Sequence, residues 1–156
     1  MSAHCRLAGP ADIPTIHALL LENAAHDGGD LRGTEASLRQ YGFGPDPRFR
    51  TVLGQTGDQV LGLSLFFPEY SSWRGTVGLF VQDLYVRPAA RGRGLGRGLL
   101  AASLRAAADW QPTFLTLLAH HHNATGRAFY AAQGFVQRAQ ADMLVCEGDA
   151  LARLLR

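Results

Sequence analysis

Around Val86 the apolar residues of this chain change their period from two to 3.6, and the turn that follows carries a glycine at every second position, Gly92, Gly94, Gly96 and Gly98. Upstream, residues 77–86 form an apolar run of strand length. Downstream, Leu95, Leu99, Leu100 and Leu104, with alanines between them, repeat as one face of an amphipathic helix that Pro112 stops. A strand that runs straight into a helix through bare backbone presents N–H groups to an anion, and the start of the helix adds partial positive charge. Arg91, Arg93 and Arg97 supply neutralising charge. The segment therefore reads as a pyrophosphate site and not as a solvated surface loop. It is not the dinucleotide fingerprint G-x-G-x-x-G, because Arg97 and Leu99 fall where the last glycine is required.

The remaining pattern places that turn in a mixed α/β sheet. Leu7 ends a first short strand, Pro10-Ala11-Asp12 is a turn and helix cap, and Ile13, Ile16, Leu19 and Leu20 recur at helical spacing. His26-Asp27-Gly28-Gly29-Asp30 reads as a loop. Thr34 with residues 35–41 forms a short second helix ended by Gly42. Runs at 49–55, 60–67 and 77–86 are strands, the first two joined by a Gly57-Asp58 hairpin turn. A strand at 113–119, a helix at 125–133 capped by Gly134, and a last strand at 135–146 with a short helix after it complete the chain. The expected fold is one α/β domain over 1–156, with a mostly antiparallel sheet of six or seven strands and helices on both faces.

Composition narrows the chemistry. The sequence contains no lysine, which excludes a P-loop and lysine-based covalent catalysis. Cys5 and Cys146 are too few for a disulfide framework and read as plain thiols. Residues 1–10 lack the charged and apolar stretches of a secretory signal, and no apolar run approaches membrane-span length, so a cytoplasmic protein is expected. His120, His121 and His122 invite a metal, but consecutive residues leaving a strand do not face one ion and no carboxylate or cysteine accompanies them. They remain candidate bases, since imidazole titrates near neutrality.

Arg91-x-x-Gly94-x-Gly96, placed after a strand ending in Val86-Arg87-Pro88, resembles the [QR]-x-x-G-x-[GA] pyrophosphate motif of the GNAT acetyltransferase superfamily. The likeness extends to Tyr41-Gly42-Phe43-Gly44, to the linker from Tyr70 to Trp73, and to Asn123 followed by Phe129-Tyr130-Ala131-Ala132-Gln133-Gly134-Phe135. These look like the branch of spermidine/spermine and thialysine N-acetyltransferases, and together they cover nearly the whole chain.

The resemblance implies an acetyl-CoA-dependent N-acetyltransferase in which an amine attacks directly, without a covalent enzyme intermediate. It implies a split between the strands at 79–86 and 113–119, in which backbone groups of Leu84, Tyr85 and Val86 pair with the pantetheine arm. It also implies that the amides from Gly92 through Arg93, Gly94, Leu95 and Gly96 to Arg97 hold the pyrophosphate, with Asn123 and Tyr130 also at the cofactor. Tyr130 becomes the candidate general acid for the departing thiolate. An acidic residue of the branch is replaced by Gln82, leaving Asp83, which strand alternation turns to the opposite face, as a candidate base. Gln82 and His121 stand where polyamine-specific members carry glutamates, and the segment 139–142 lacks the pattern expected there. Asp27, Asp30 and Asp142 are candidates to rebuild part of an acidic pocket. The expected acceptor is thus a small amine carrying fewer positive charges than a polyamine, and the expected state, by resemblance alone, is a homodimer with no nucleic-acid or membrane partner. The competing readings are an acyl-CoA sensor without turnover, an acetyltransferase acting on a peptide or protein amine, and an arginine-rich nucleic-acid binder.

Overall fold

The computed structural model describes residues 3–138 and 141–154. The chain divides into two compact units, Met1–Asn123 and Ala124–Arg156. The first contains a five-stranded sheet in the order β1 (His4–Leu7), β2 (Arg50–Thr56), β3 (Gln59–Ser71), β4 (Thr76–Val86) and β5 (Leu115–Leu117). The pairs β1–β2, β2–β3 and β3–β4 are antiparallel, whereas β4–β5 is parallel. Three helices belong to this unit: α1 (Ile13–Asp27), α2 (Glu35–Phe43) and α3 (Leu95–Ala106).

Strand alternation gives the sheet two different faces. Leu53, Leu63, Leu65 and Tyr85 are buried on one face with Ile13, Ile16, Leu19 and Leu20 of α1 and Leu38 of α2. Each such side chain contributes about 1.5–3 kcal/mol by leaving water. The other face receives α3. There Gly54 leaves room for Leu95 and Leu99, since a Cβ would lie 2.6 Å from Leu95 Cδ1. Below them the buried Ser103 hydroxyl bonds Ser64 Oγ at 2.9 Å, so two buried hydroxyls satisfy each other. The entry to α1 is fixed by Asp12, whose carboxylate accepts both guanidinium nitrogens of Arg6 and the Gly9 amide, each at 2.8 Å.

Several boundaries depart from the sequence reading, among them the end of β3, which stays paired with β4 as far as Ser71 where the reading stopped at 67. The helix α1 continues through His26 and Asp27, because Leu21 to Ala25 are good helix formers and only Gly28, at φ 76°, supplies the left-handed residue that ends it. The helix α2, capped by Thr34 Oγ1 accepting from the Ser37 amide, runs past Gly42 to Phe43. Gly42 stays helical because the Phe49 ring occupies the space of its missing side chain. The strand β5 is shorter than 113–119.

The second unit holds α4 (Ala124–Ala132) and α5 (Gly148–Leu154). The expected last strand, 135–146, is not formed among the described residues; its positions 139 and 140 lie outside them, as does part of the segment 139–142. Extended backbone becomes a strand only by pairing, and this unit offers no second strand among its described residues. The described sheet accordingly has five strands where six or seven were expected.

Gly62 sits where β3 passes closest to the end of β4, and an added Cβ would meet Tyr85 O at 2.5 Å and Val86 Cα at 3.2 Å. Gly62→Ala is therefore expected to cost about 1–3 kcal/mol in chemical denaturation. Gly9→Ala, with nothing within 4 Å of the new methyl, should stay within about 0.5 kcal/mol of the parent.

Candidate active site

On its β3 side β4 is paired from Thr76 to Val86. On its β5 side the pairing covers only Leu79↔Leu115, Phe80↔Thr116 and Val81↔Leu117. The residues that follow, Gln82, Asp83, Leu84, Tyr85 and Val86, have no strand on that edge among the described residues. The expected split between the two strands is thus present. It coincides with a bulge: Phe66 pairs with Val81 and Leu65 with Asp83, so Gln82 is an extra residue. The simple alternation expected of Gln82 and Asp83 is interrupted at this point. Gln82 is exposed, while Asp83 and Tyr85 lie on the face that α1 covers.

At the end of the open edge the chain turns into α3. Arg87 bonds β3 through its amide, which donates to Leu61 O at 2.8 Å. Its side chain donates to both oxygens of Glu22 on α1, at 2.7 Å to Oε1 and 3.0 Å to Oε2, and to Val60 O at 2.9 Å. This pairing holds the Glu22 carboxyl below its ordinary range. Beyond it Gly92 and Gly94 adopt φ 73° and 81°, and a side chain there would meet no neighbouring atom within 4 Å, so backbone conformation alone demands glycine. Gly94 is the N-cap of α3, Leu95 is buried as its anchor, and Arg91, Gly92, Arg93, Gly94 and Arg97 are exposed. Gly96 and Gly98 are the helical glycines of the first turn. The Arg91 side chain folds back, donating from Nε to Val86 O at 2.8 Å. The N–H groups of this first helical turn thus open to solvent beside three arginines, an arrangement that fits a pyrophosphate.

On the α1 face the apolar stripe of the helix gives way to polar side chains. Asn23, half-buried, donates from Nδ2 to Asp83 Oδ1 at 3.2 Å. One turn on, Asp27 Oδ2 lies 3.8 Å from His120 Nε2, and the His120 ring stacks on His122 at 5.3 Å. Burial pushes the Asp83 carboxyl above the ordinary carboxylate range; the Asn23 bond pulls it down and the Asp27 charge pushes it up. Tyr85 is likewise raised, by burial first and by the Glu22 carboxylate second. On the same sheet face Phe67 stacks on Phe80 with centroids 5.1 Å apart, and the Thr116 hydroxyl donates to Glu69.

The structure thus brings Asp27 and Asp83 into one cluster, with His120 rather than His121. Asp30 and His121 are exposed, in the loop after α1 and in the turn after β5. The histidines occupy a turn, closed by the Asn123 amide donating to His120 O at 3.1 Å, and among the described residues no group of His, Cys, Asp or Glu is placed to hold a metal ion. Asn123 ends the first unit, and Asp142 is exposed in the second. Within the second unit Tyr130 lies on α4, its ring edge-on to Phe129 and Phe135 at 5.3 and 5.5 Å, and its carbonyl accepts the Phe135 amide at 3.0 Å. Sequence reading passed over Glu22 and Asn23. The signal was available: with α1 continued through its two alanines, Asn23 and Asp27 fall four residues apart on the face already marked by Ile16, Leu19 and Leu20.

Residues 15–135 match the model of the Acetyltransferase (GNAT) family. The chain is 27% identical over 162 residues to a thialysine N-epsilon-acetyltransferase of Bos taurus, covering 96% of this chain and 95% of that protein. It is 29% identical over 138 residues to spermidine/spermine N(1)-acetyltransferase-like protein 1 of Homo sapiens, covering 83% of this chain and 20% of the longer human protein. Among solved structures, an integron cassette protein from the mobile metagenome of V. cholerae superposes with a TM-score of 0.80 at 21% identity, over 100% of this chain and 99% of that one. No helix among the described residues is long and apolar enough to cross a membrane.

An acid whose pKa is higher folded than unfolded binds more protons in the folded state, so its contribution to stability falls as pH rises from about 3.9 through the folded value. Asp83→Asn removes that penalty and keeps an acceptor for Asn23. It is expected to raise the melting temperature near pH 7, with the gain shrinking as pH approaches about 4; an equal gain at both pH values would contradict this account.

Proposed function

The chain belongs to the GNAT acetyltransferase family, enzymes that move an acetyl group to an amine, and we propose that its donor is acetyl-CoA and its acceptor the primary amine of a small molecule. The observation that carries the reading is the open edge of β4 at 82–86, running directly into the exposed glycine turn at the N-terminus of α3. A pantetheine arm is a chain of amides, which the open edge of Leu84, Tyr85 and Val86 can bond as a strand would, once Arg91 Nε releases Val86 O. The pyrophosphate then falls to the amides of Gly92 to Arg97, with Arg91, Arg93 and Arg97 neutralising it. Bound there, acetyl-CoA supplies the activated thioester; the rest is the work of this chain's residues. A backbone N–H in 84–86 polarises the thioester carbonyl. Asp83 takes a proton from the incoming ammonium so that a neutral amine attacks in a ternary complex. Tyr130 gives its proton to the departing thiolate. Asn123 belongs to the same cofactor region in this reading.

The acceptor side favours a small amine over a polyamine. Glu22 is held by Arg87 and Asp27 faces His120, while Gln82 and His121 carry no fixed negative charge. The stacked Phe67 and Phe80 add an apolar, cation-tolerant wall on the Asp83 face. Asp27, Gln82 and His121 are proposed as acceptor contacts, with Asp30 at the loop above. A homodimer, as in most members of the branch the chain resembles, is part of the same proposal, and sedimentation velocity tests it.

Thiol release from acetyl-CoA across spermidine, putrescine, lysine, thialysine, monoamines, aminoglycosides and a peptide N-terminus is expected to peak with a small amine and not with spermidine. Tyr130→Phe should lower kcat by about 10²–10⁴-fold. Turnover unchanged in that variant, or acetyl-CoA stabilising the fold without any turnover, would favour an acyl-CoA sensor instead. A protein neither stabilised by acetyl-CoA nor active would end the proposal. Gly94→Val, forced into φ 81°, should raise the KM for the donor more than it changes kcat.

A further inference from the structure

The interface between α1 and β4 is apolar for most of its length and turns polar at its end, where Glu22 meets Tyr85 and Arg87 and the next residue, Asn23, meets Asp83. Leu19, Leu20, Leu63, Leu65 and Tyr85 are all buried where helix and strand meet. Continuing the same helical stripe brings Asn23, where a leucine would pack, directly to Asp83. A half-buried amide and a largely buried carboxylate facing each other cost desolvation that a pair of aliphatic side chains would avoid. Core packing therefore does not account for the pair, whereas a functional carboxylate does.

We propose that Asn23 is the positioning residue of the proton acceptor: its amide orients the Asp83 carboxylate across the α1–β4 contact and stabilises the charged form. The inference rests on the reading of Asp83 as the group that deprotonates the amine. Asn23 bonds Oδ1. The proton is then taken at Oδ2: an N–H bond of the ammonium breaks, its electron pair stays on nitrogen, and the new O–H bond forms on Asp83. An asparagine donor suits this task because it cannot itself titrate or carry the proton away. The bond opposes the upward push of burial and of Asp27 and so favours the charged form.

The charged surroundings of Asp83 are few. From α1 come Asp27, which faces His120, and Glu22, which is bound by Arg87; His26 faces Tyr85 instead, with ring centroids 6.5 Å apart. From β3 the residue opposite is the apolar Leu65, and Glu69 of the same strand bonds Thr116 of β5. The face of α3 against the sheet buries Leu95, Leu99, Leu100, Ala102 and Ser103. Asp27 is thus the neighbour whose removal should act in the opposite sense to removal of Asn23.

The test is the pH profile of kcat/KM, which reports the free enzyme, for the parent, Asn23→Ala, Asn23→Gln, Asp27→Asn and Asp83→Asn, using the best amine from the panel. Loss of a hydrogen bond to a charged group should move the acidic limb of Asn23→Ala up by about one pH unit while the alkaline plateau is largely kept. Asn23→Gln should restore part of the shift, and Asp27→Asn should move the limb down. Carbon-13 titration of the Asp83 carboxyl, assigned by its loss in Asp83→Asn, should show the same displacement without reliance on turnover. An unmoved limb and an unmoved titration in Asn23→Ala, with Asp83→Asn strongly impaired, would overturn the positioning role alone. Asp83→Asn at parental activity would instead overturn the proton-acceptor reading on which it rests.

Discussion

The site depends on β4 having a strand partner along only part of its second edge. The last pair with β5 is Val81↔Leu117, and the next residue, Gln82, is the extra residue of the bulge against β3. Bulge and split are therefore a single event. An inserted residue bends its strand and increases the local twist, which peels the following segment away from a parallel neighbour. The chain on the other side cooperates by leaving β5 after Leu117 and closing a turn from His120 to Asn123. What results is a run of backbone that the fold leaves for water or for a ligand.

That run is nevertheless held rigidly. Every residue from Asp83 to Val86 keeps its β3 partner, and Arg87 continues the register through its bond to Leu61 O. Its guanidinium ties α1, β3 and β4 together through Glu22 and Val60 O. As a partly exposed ion pair it is worth at most about 1 kcal/mol to stability. Its greater effect is geometric, since it fixes the point at which β4 gives way to the glycine turn. Leu95, buried over Gly54, fixes the other end of that turn. The glycines between two fixed ends can then adopt positive φ without the turn wandering.

The turn was the most legible part of the chain because its signal is local: glycine spacing, a period change and arginines all fall within about a dozen residues. The antiparallel meander and the hairpin at Gly57 were readable for the same reason; the split came only with the resemblance drawn from Arg91, Gly94 and Gly96, with which the family model that matches 15–135 accords. The end of α1 was not readable, because two glycines and two aspartates outweighed the helix-forming residues before them, and the reading put His26 and Asp27 in the loop. Asp27 was thereby cut off from the helical face on which Asn23 lies one turn earlier. The bulge was beyond reach, since nothing in Val81-Gln82-Asp83 distinguishes an extra residue from ordinary alternation; it exists only in the pairing with Leu65 and Phe66. The last strand failed for a related reason, as an apolar run states a propensity but not a partner.

Charge is sorted along the open edge in a way that bears on the proposed reaction. At its far end the first turn of α3 and three arginines favour an anion. At its near end Asp83 and Asp27 favour a cation, and the two regions are separated by Tyr85 and by the Arg87–Glu22 pair, which cancels its own charge. The acidic end is not simply attractive, however. Asp83 and Asp27 repel, and burial already works against ionising Asp83. An arriving ammonium would relieve both penalties, and a proton passed to Asp83 relieves them again once the amine has become neutral. In the proposed reaction the same unfavourable burial would therefore favour proton transfer from the amine to Asp83, and a substrate with one ammonium would suffice to satisfy it.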